Sequence, residues 1–448
     1  MAGPFLRADL LKRLIKFVFS EEVYHISHID TYQSYVSKKA SELGCDVLRF
    51  REEMSAGIRE DFDSFGINFD IFIDNTSDEY VNFLESAVLY LTGRVNAEKR
   101  RTRFCSDCHS KLFESYVKGY CKRCFHDCYQ NVCENCCQPQ SSATLLNPTC
   151  GACGSRRFTV SDSHLESWLH FTEADIESVT ELMRPVCFSN RRLVSLFRGL
   201  VPHEIALTYS TDYGIFPMAL DGALNAWVEI YFAHFYAILK LFNVDLSGGF
   251  EDALGRLRAS SLQPRLIYLF GIDNSYYYAF LFTWLSQRLN LPEMLPQGIL
   301  ANFFLQLNNA KISSSRNNVI WAKDLQNTGT LEELRSNLAF SCPEFAPRNY
   351  QSTNLRITNM DRAARDGILA SASSEPFHIL QETVKALANP AAFSVESLLD
   401  TIEKWNRYAS KMKESGIEST AASEVEAYLS QLAGHLALAD CDEKGSFD

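Results

Sequence analysis

The chain has 448 residues, 46% of them hydrophobic and 12% aromatic, with a formal net charge of −12. That length suggests two to four domains, and that apolar content excludes a globally disordered chain. The acidic balance argues against a protein that coats nucleic acid by bulk charge, while leaving room for a local basic patch.

In chain order, residues 10–19 are apolar and end in a β-type run at 16–19. Residues 31–43 have helical spacing and stop at Gly44, a natural C-terminal cap. Residues 46–50 read as a short strand, 66–73 (GINFDIFI) as another, and 77–91 as an amphipathic helix. Strand–helix–strand order predicts a parallel α/β layer. A basic run covers 96–103, and 162–200 reads as mostly helical with a break at Pro185. A second apolar block, 209–319, alternates strand-like and helix-like segments. From 331 to 448 the chain is polar and helical in pattern, with breaks at 370–374 and 418–423 and a frayed tail at 440–448. The N-terminus shows no basic region followed by an apolar one, so no signal peptide is expected. The apolar stretches 223–244 and 266–285 carry Glu229, His234, Lys240 and Asp273, which mark them as buried core and not membrane spans.

Ten of the 14 cysteines lie between Cys105 and Cys153. A disulfide-stapled secreted chain is short and spreads its pairs, so this clustering reads as metal ligation in a reducing cytosol. Four C-x2-C knuckles occur: Cys105/Cys108, Cys121/Cys124, Cys133/Cys136 and Cys150/Cys153. Each presents two thiolates from one turn, and two turns complete a tetrahedral S4 site. Two structural zincs are expected; a degraded cluster holding one or none is the alternative. Cys128 and Cys137 are left over, and Cys137 stands where a turn glycine is usual.

The segment FCSDCHSKLFESYVKGYCKRCFHDCYQNVCENC, followed by NPTCGACGS, resembles the zinc-bearing connective insertion of methionyl-tRNA synthetases. The resemblance covers roughly 16–354 in family order, through DFDSFGINFDIF, DYGIFP, LNAWVEIYFAHFY, LFGIDNSYYYAFLFTW and KISSSRNNV. It implies a class I synthetase fold: a doubly wound, Rossmann-like parallel sheet with a zinc-binding insertion and a C-terminal helical domain. The implied division is 1–95 and 205–330 for the two halves of the nucleotide-binding domain, 96–204 for the insertion and 331–448 for a shortened helical region. The inner knuckles (Cys121, Cys124, Cys133, Cys136) would hold one zinc and the outer (Cys105, Cys108, Cys150, Cys153) a second.

Ligands of such folds bind at the carboxyl ends of the parallel strands. The family's HIGH signature, which steadies ATP phosphates, corresponds to His25-Ile26-Ser27-His28, with serine in place of glycine. Its KMSKS signature, which neutralises the leaving pyrophosphate, corresponds to Lys311-Ile312-Ser313-Ser314-Ser315. There Ser314 replaces the second lysine, and Arg316 is a candidate substitute. Gly271 and Asp273 correspond to the ribose-binding segment. The amino-acid pocket maps onto Trp227, Glu229, Tyr231, His234, Tyr278 and Phe282, with Tyr231 and His234 replacing a proline and a tyrosine. A slot built for a thioether thereby becomes bulkier and more polar, suited to a polar or smaller amino acid. Glu52 or Glu53 is a candidate holder of the substrate amino group.

The tail after Thr330 is short, Trp405 is its only tryptophan, and its acidic stretches would repel RNA. The resemblance therefore implies a cytoplasmic ligase that uses ATP (with Mg2+) and an amino acid to form an aminoacyl-adenylate. The acyl group would pass to a small-molecule acceptor or a tRNA, with a partner enzyme conceivable and no membrane involved. A divergent methionine–tRNA ligase and a catalytically dead binding or regulatory module are the alternatives.

Overall fold

Helix α1 (Pro4–Phe19) opens the chain, with proline in its first turn where the fixed φ suits a helix start. The 16–19 run is its last turn and not a strand. Leu6, Leu10 and Leu14, with Leu11 and Ile15, make one buried helical face, and that spacing outweighs the β preference of Phe17–Phe19. The computed structural model describes residues 2–141, 144–187, 190–260, 262–312, 318–325, 328–350, 360–416 and 419–437.

Strand β1 (Ile26–Ser27) is followed by α2 (Ser34–Leu43), which ends at Gly44 with φ +67°, as its C-cap spacing predicts. Residues 46–50 are the start of α3 (Val47–Ser64) and not a strand. The Asp46 side chain accepts from the Arg49 N–H and caps that helix, a signal the short apolar run concealed. Strand β2 (Ile71–Phe72) pairs in parallel with β1, and α4 (Asp78–Thr92) follows under a Ser77 cap.

The basic run forms most of β3 (Ala97–Cys105). Short strands follow: β4 (Val117–Tyr120), β5 (Asp127–Tyr129), β6 (Asn131–Val132), β7 (Pro139–Gln140) and β8 (Leu146–Cys150). The long β9 (Phe158–Phe171) then runs antiparallel to β3. It occupies the first part of the 162–200 segment expected to be helical, because ladder pairing with β3 on one side and β10 on the other supplies its backbone partners. Helices α5 (Glu173–Met183) and α6 (Arg191–Gly199) lie either side of Pro185. Strand β10 (His203–Ala206) completes the β10–β9–β3 sheet. Acidic partners answer the basic run: Lys99 pairs with Asp221, and Arg100 with Glu98 and Glu204.

Strands β11 (Thr208–Tyr209) and β12 (Ala223–Leu224) lead into α7 (Ala226–Leu241), buried along almost its whole length. Then come α8 (Gly249–Ala259), β13 (Leu266–Gly271), a π-helical turn (Tyr276–Leu281), α9 (Phe282–Arg288) and β14 (Pro296–Asn302). Strands β13 and β14 are parallel neighbours. Together with β1–β2 they are the described parallel ladders. Strands β15 (Leu305–Leu307), β16 (Ala310–Lys311) and β17 (Arg348–Asn349) form a small sheet; α10 (Ala322–Leu325) and α11 (Leu331–Phe340) fall between its last two strands. The chain continues helically through α12 (Arg362–Ala370), α13 (Glu375–Leu387), α14 (Val395–Ser415) and α15 (Ser419–Ala437). The expected frayed tail lies outside the described residues. No helix among the described residues is long and apolar enough to cross a membrane.

Two large apolar cores result. One joins α4, α5, α7, α8, the π-turn and α9; the other joins α1, Phe62, Phe65, α11 and α13–α15. Helix α1 is tied into the second by buried ion pairs. Arg335 meets Asp9 at 2.5 Å with both side chains 2% exposed, and Arg7 meets Glu344 at 2.9 Å. Trp405 packs at the margin of this core against Tyr408.

Candidate active site and zinc sites

The four knuckles fold alike. The first cysteine of each donates its N–H to the carbonyl five residues on: Cys105 to Ser110, Cys121 to His126, Cys133 to Gln138 and Cys150 to Ser155. The residue four positions on donates back to that first cysteine and takes a left-handed φ: His109 +58°, Phe125 +59°, Cys137 +59° and Gly154 +77°. Only the last is glycine, so the turn imposes its conformation on three residues that ordinarily resist it.

Two groups of four thiols result: Cys105, Cys108, Cys150 and Cys153, and Cys121, Cys124, Cys133 and Cys136. Within each group the sulfurs lie within 4.8 Å of one another. The closest pairs are 3.5–3.6 Å apart (Cys105–Cys153, Cys108–Cys150, Cys121–Cys136, Cys124–Cys133). A tetrahedron with Zn–S arms of ~2.3 Å has edges of about 3.8 Å, so the donors fit zinc in number, type and spacing. Cys128 is buried beside the inner group but outside its four donors. Cys137, next to the ligand candidate Cys136, turns away and donates its thiol to the Ile272 carbonyl at 3.0 Å. The inner knuckle therefore abuts the loop that carries Gly271 and Asp273.

That loop leaves the carboxyl end of β13. Gly271 precedes a single helical turn (Ile272–Asn274), and a Cβ at Gly271 would sit 2.6 Å from the Asp273 carboxylate. The π-helical turn that follows sets Tyr277 face to face with Trp227 at 3.8 Å and 5°. It also stacks Tyr278 on Phe270 at 4.7 Å and 8°. π-turns recur at functional sites because the extra residue re-aims side chains.

Helix α7 supplies the opposite wall. The Asn225 side chain accepts from the Trp227 N–H and caps the helix. Glu229, one turn in, is buried and takes hydrogen bonds from Tyr80 Oη at 2.5 Å and Asn75 Nδ2 at 3.4 Å. Burial pushes its carboxyl up to about 7, against the pull of the Tyr80 hydrogen bond. Tyr231 is fully buried, its hydroxyl 3.1 Å from Ser286 Oγ, and its ring packs edge-on against Phe282. His234 packs among Tyr268, Tyr278 and Phe282.

His28, just past the carboxyl end of β1, joins this cluster. Its Nδ1 is 3.3 Å from His234 Nε2, and its Nε2 is 3.2 Å from Asp30 Oδ1. Ser27 is buried in β1. His25 faces elsewhere: its ring packs on Phe69 at 4.5 Å, it is 8% exposed, and burial lowers its imidazole to about 4. Its main-chain N–H donates to Asp70, which also binds Lys12 of α1. The structure thus gathers His28, Glu229, His234, Trp227, Tyr278 and Phe282 into one cluster and turns His25 toward α1. Lys311 ends β16, and its side chain, with Ser313, Ser314 and Arg316, lies outside the described residues. Glu52 is exposed on α3, and Glu53 is exposed and ion-paired with Arg49. Neither is in the Glu229 contact set, where Asn75 and Tyr80 do the holding.

Sequence reasoning missed Asp30, Asn75, Tyr80, Tyr268 and Tyr277. Asp30, two residues beyond His28, was within reach of inspection. The others come from elements whose meeting no spacing rule encodes.

Parallel strand pairs, an inserted module with two four-thiol groups able to hold zinc and a histidine just past the first strand are features in keeping with a class I synthetase. The family profile of tRNA synthetases class I (M) matches residues 2–369, and the chain belongs to that family. Relatives include the methionine–tRNA ligase of Thermofilum pendens, 25% identical over 81% of this chain and 64% of its own length. That of Parabacteroides distasonis is 24% identical over 79% and 53%. The chain thus spans between half and two thirds of the length of these relatives. In fold it is similar to Mycobacterium tuberculosis methionyl-tRNA synthetase bound by methionyl-adenylate. The TM-score is 0.61 at 14% identity, covering 97% of this chain and 86% of that one.

Proposed function

We propose that the chain is an ATP-dependent amino-acid-activating ligase. A substrate carboxylate attacks the α-phosphorus of ATP, the bond to the β-phosphate oxygen breaks, and pyrophosphate leaves with an aminoacyl-adenylate as product. The carrying observation is Glu229, a buried acid held by Tyr80 and Asn75 in the same cluster as stacked Trp227 and the His28–His234 contact. In this reading Glu229 receives the substrate amino group, and Trp227, Tyr278 and Phe282 bound the side chain. His28 and Ser27 meet the phosphates, and Gly271 with Asp273 meets the ribose. Lys311 neutralises the departing pyrophosphate, and Mg2+ accompanies ATP. The zincs are structural, and the cytoplasm is the expected location. The acyl group passes to a small-molecule acceptor or to a tRNA. Residues 1–95 and 205–330 act as the catalytic halves and 96–204 as the insertion.

Pyrophosphate exchange into ATP, run across the proteinogenic amino acids with zinc-replete protein, tests this. Exchange stimulated by an amino acid supports activation, and silence across the set overturns it. Charging of total tRNA tests the alternative of an aminoacyl-tRNA ligase, which the curated relatives favour. The position of His25, turned toward α1 and held neutral by burial, favours a second reading, a nucleotide-free binding module. That module predicts no ATP binding by calorimetry.

A further inference from the structure

We infer that the Tyr278 ring fills the side-chain end of the amino-acid pocket and so restricts activation to glycine or alanine. The inference rests on the amino-acid-activation reading and adds the substrate class and the residue that sets it.

Ligands of a parallel α/β sheet bind in the crevice past the carboxyl ends of its strands. Tyr278 stands in that crevice. Its ring lies flat on Phe270, near the end of β13, at 4.7 Å and 8°. Its phenol is within electrostatic reach of Asp30, beyond the end of β1. His234 of α7, which contacts His28, lies nearly parallel to it at 5.8 Å and 21°. Phe282, Tyr268 and Trp227 meet it at steeper angles, 5.0, 5.6 and 5.9 Å away. Five rings thus surround one side chain.

Aromatic rings in contact have centroids about 4.5–7 Å apart, and all five separations fall inside that range. A methylene chain needs roughly 3.5–4 Å between its carbons and those of each neighbour, so none threads between rings that already touch. The surround is itself held. Trp227 is stacked on Tyr277 at 3.8 Å and 5°, and the fully buried Phe282 is packed edge-on by Tyr231. Tyr278 is only partly buried, whereas Tyr231, Tyr277 and Phe282 are buried, so it is the front ring that a substrate side chain meets first. The π-helical turn carries it there, aiming Tyr277 at Trp227 and Tyr278 at Phe270. Glycine or alanine, its amino group at Glu229, leaves this packing in place. Leucine or methionine has to displace a ring from five neighbours, the overpacking that a filled interior resists.

Pyrophosphate exchange into ATP, followed as kcat/KM, should favour glycine or alanine over leucine and methionine by at least about tenfold. Tyr278→Ala, checked for an unchanged circular dichroism spectrum, should raise kcat/KM for leucine or methionine by at least about tenfold, chiefly through KM. If that variant does not fold, Tyr278→Leu should move the preference the same way. Calorimetry gives a readout apart from turnover: glycine or alanine should bind the wild-type protein more tightly than methionine, and the variant should narrow the gap. Exchange that methionine or leucine drives as well as glycine overturns the inference and leaves activation standing. A folded variant that still excludes the larger amino acids overturns the role of Tyr278. Selective binding of glycine or alanine without exchange upholds the inference and overturns activation. Neither binding nor exchange with any amino acid overturns both.

Discussion

Glu229→Gln should stabilise the protein at alkaline pH and leave it nearly unchanged at acidic pH. Burial, partly countered by Tyr80 and Asn75, raises the folded-state carboxyl from an ordinary 4.5 to about 7. The folded chain therefore keeps a proton that the unfolded chain releases. The corresponding stability is complete below pH 4.5 and is lost as pH rises to about 7. At ~1.4 kcal/mol per tenfold in proton affinity, the loss by pH 8 is about 3 kcal/mol. Glutamine keeps the shape and an acceptor for Tyr80 but has nothing to ionise. Urea unfolding followed by tryptophan fluorescence at pH 5 and pH 8, read as the difference between variant and wild type, isolates this residue from Glu166, whose carboxyl burial also raises to about 7. The variant should gain about 2.5 kcal/mol at pH 8 relative to pH 5, where a small part of the loss has already occurred. A difference that does not change with pH refutes the reasoning. Amino-acid-stimulated exchange should fall in the same variant, because the charge proposed to meet the substrate amino group is gone.

Elemental analysis should give two zincs per chain, and Cys121→Ser or Cys150→Ser should each lose one and unfold its knuckles, because structural sites carry folding energy. Cys128→Ser should keep both zincs; loss of one would place Cys128 among the ligands. Asp9→Asn should destabilise the chain by about 3–5 kcal/mol in denaturant titration, since it strands the buried Arg335 guanidinium; a cost under ~1 kcal/mol would show the pair to be dispensable. Phe125→Gly should raise stability by about 1 kcal/mol, because the residue is 71% exposed and holds φ +59°; a drop in melting temperature would count against the strain.

Relations that are local in the chain were readable from it. The C-x2-C knuckles, the Gly44 cap and the Ser77 start of α4 each depend on a few consecutive residues. The unusual position of Cys137 was visible too, and its positive φ is the reason a glycine is ordinary there. The readings that failed were those a distant partner decided. Residues 16–19 joined α1 because its buried face meets α11 and α15. Residues 162–171 became strand because β3 and β10 lie alongside. Residues 46–50 were a different failure, since the Asp46 cap was local and overlooked.

The sequence by itself determined the family, the thiols available to zinc and the kinds of side chain in the candidate pocket. Only the tertiary structure decided which of them meet. His25 and His28 stand three residues apart, yet one ring packs on Phe69 beside α1 and the other contacts His234, 206 positions away. Spacing of two or three residues fixes a turn, because the backbone has few allowed conformations over that length. It does not fix what lies across a helix–strand contact. There, burial holds the His234 imidazole low and raises the Glu229 carboxyl.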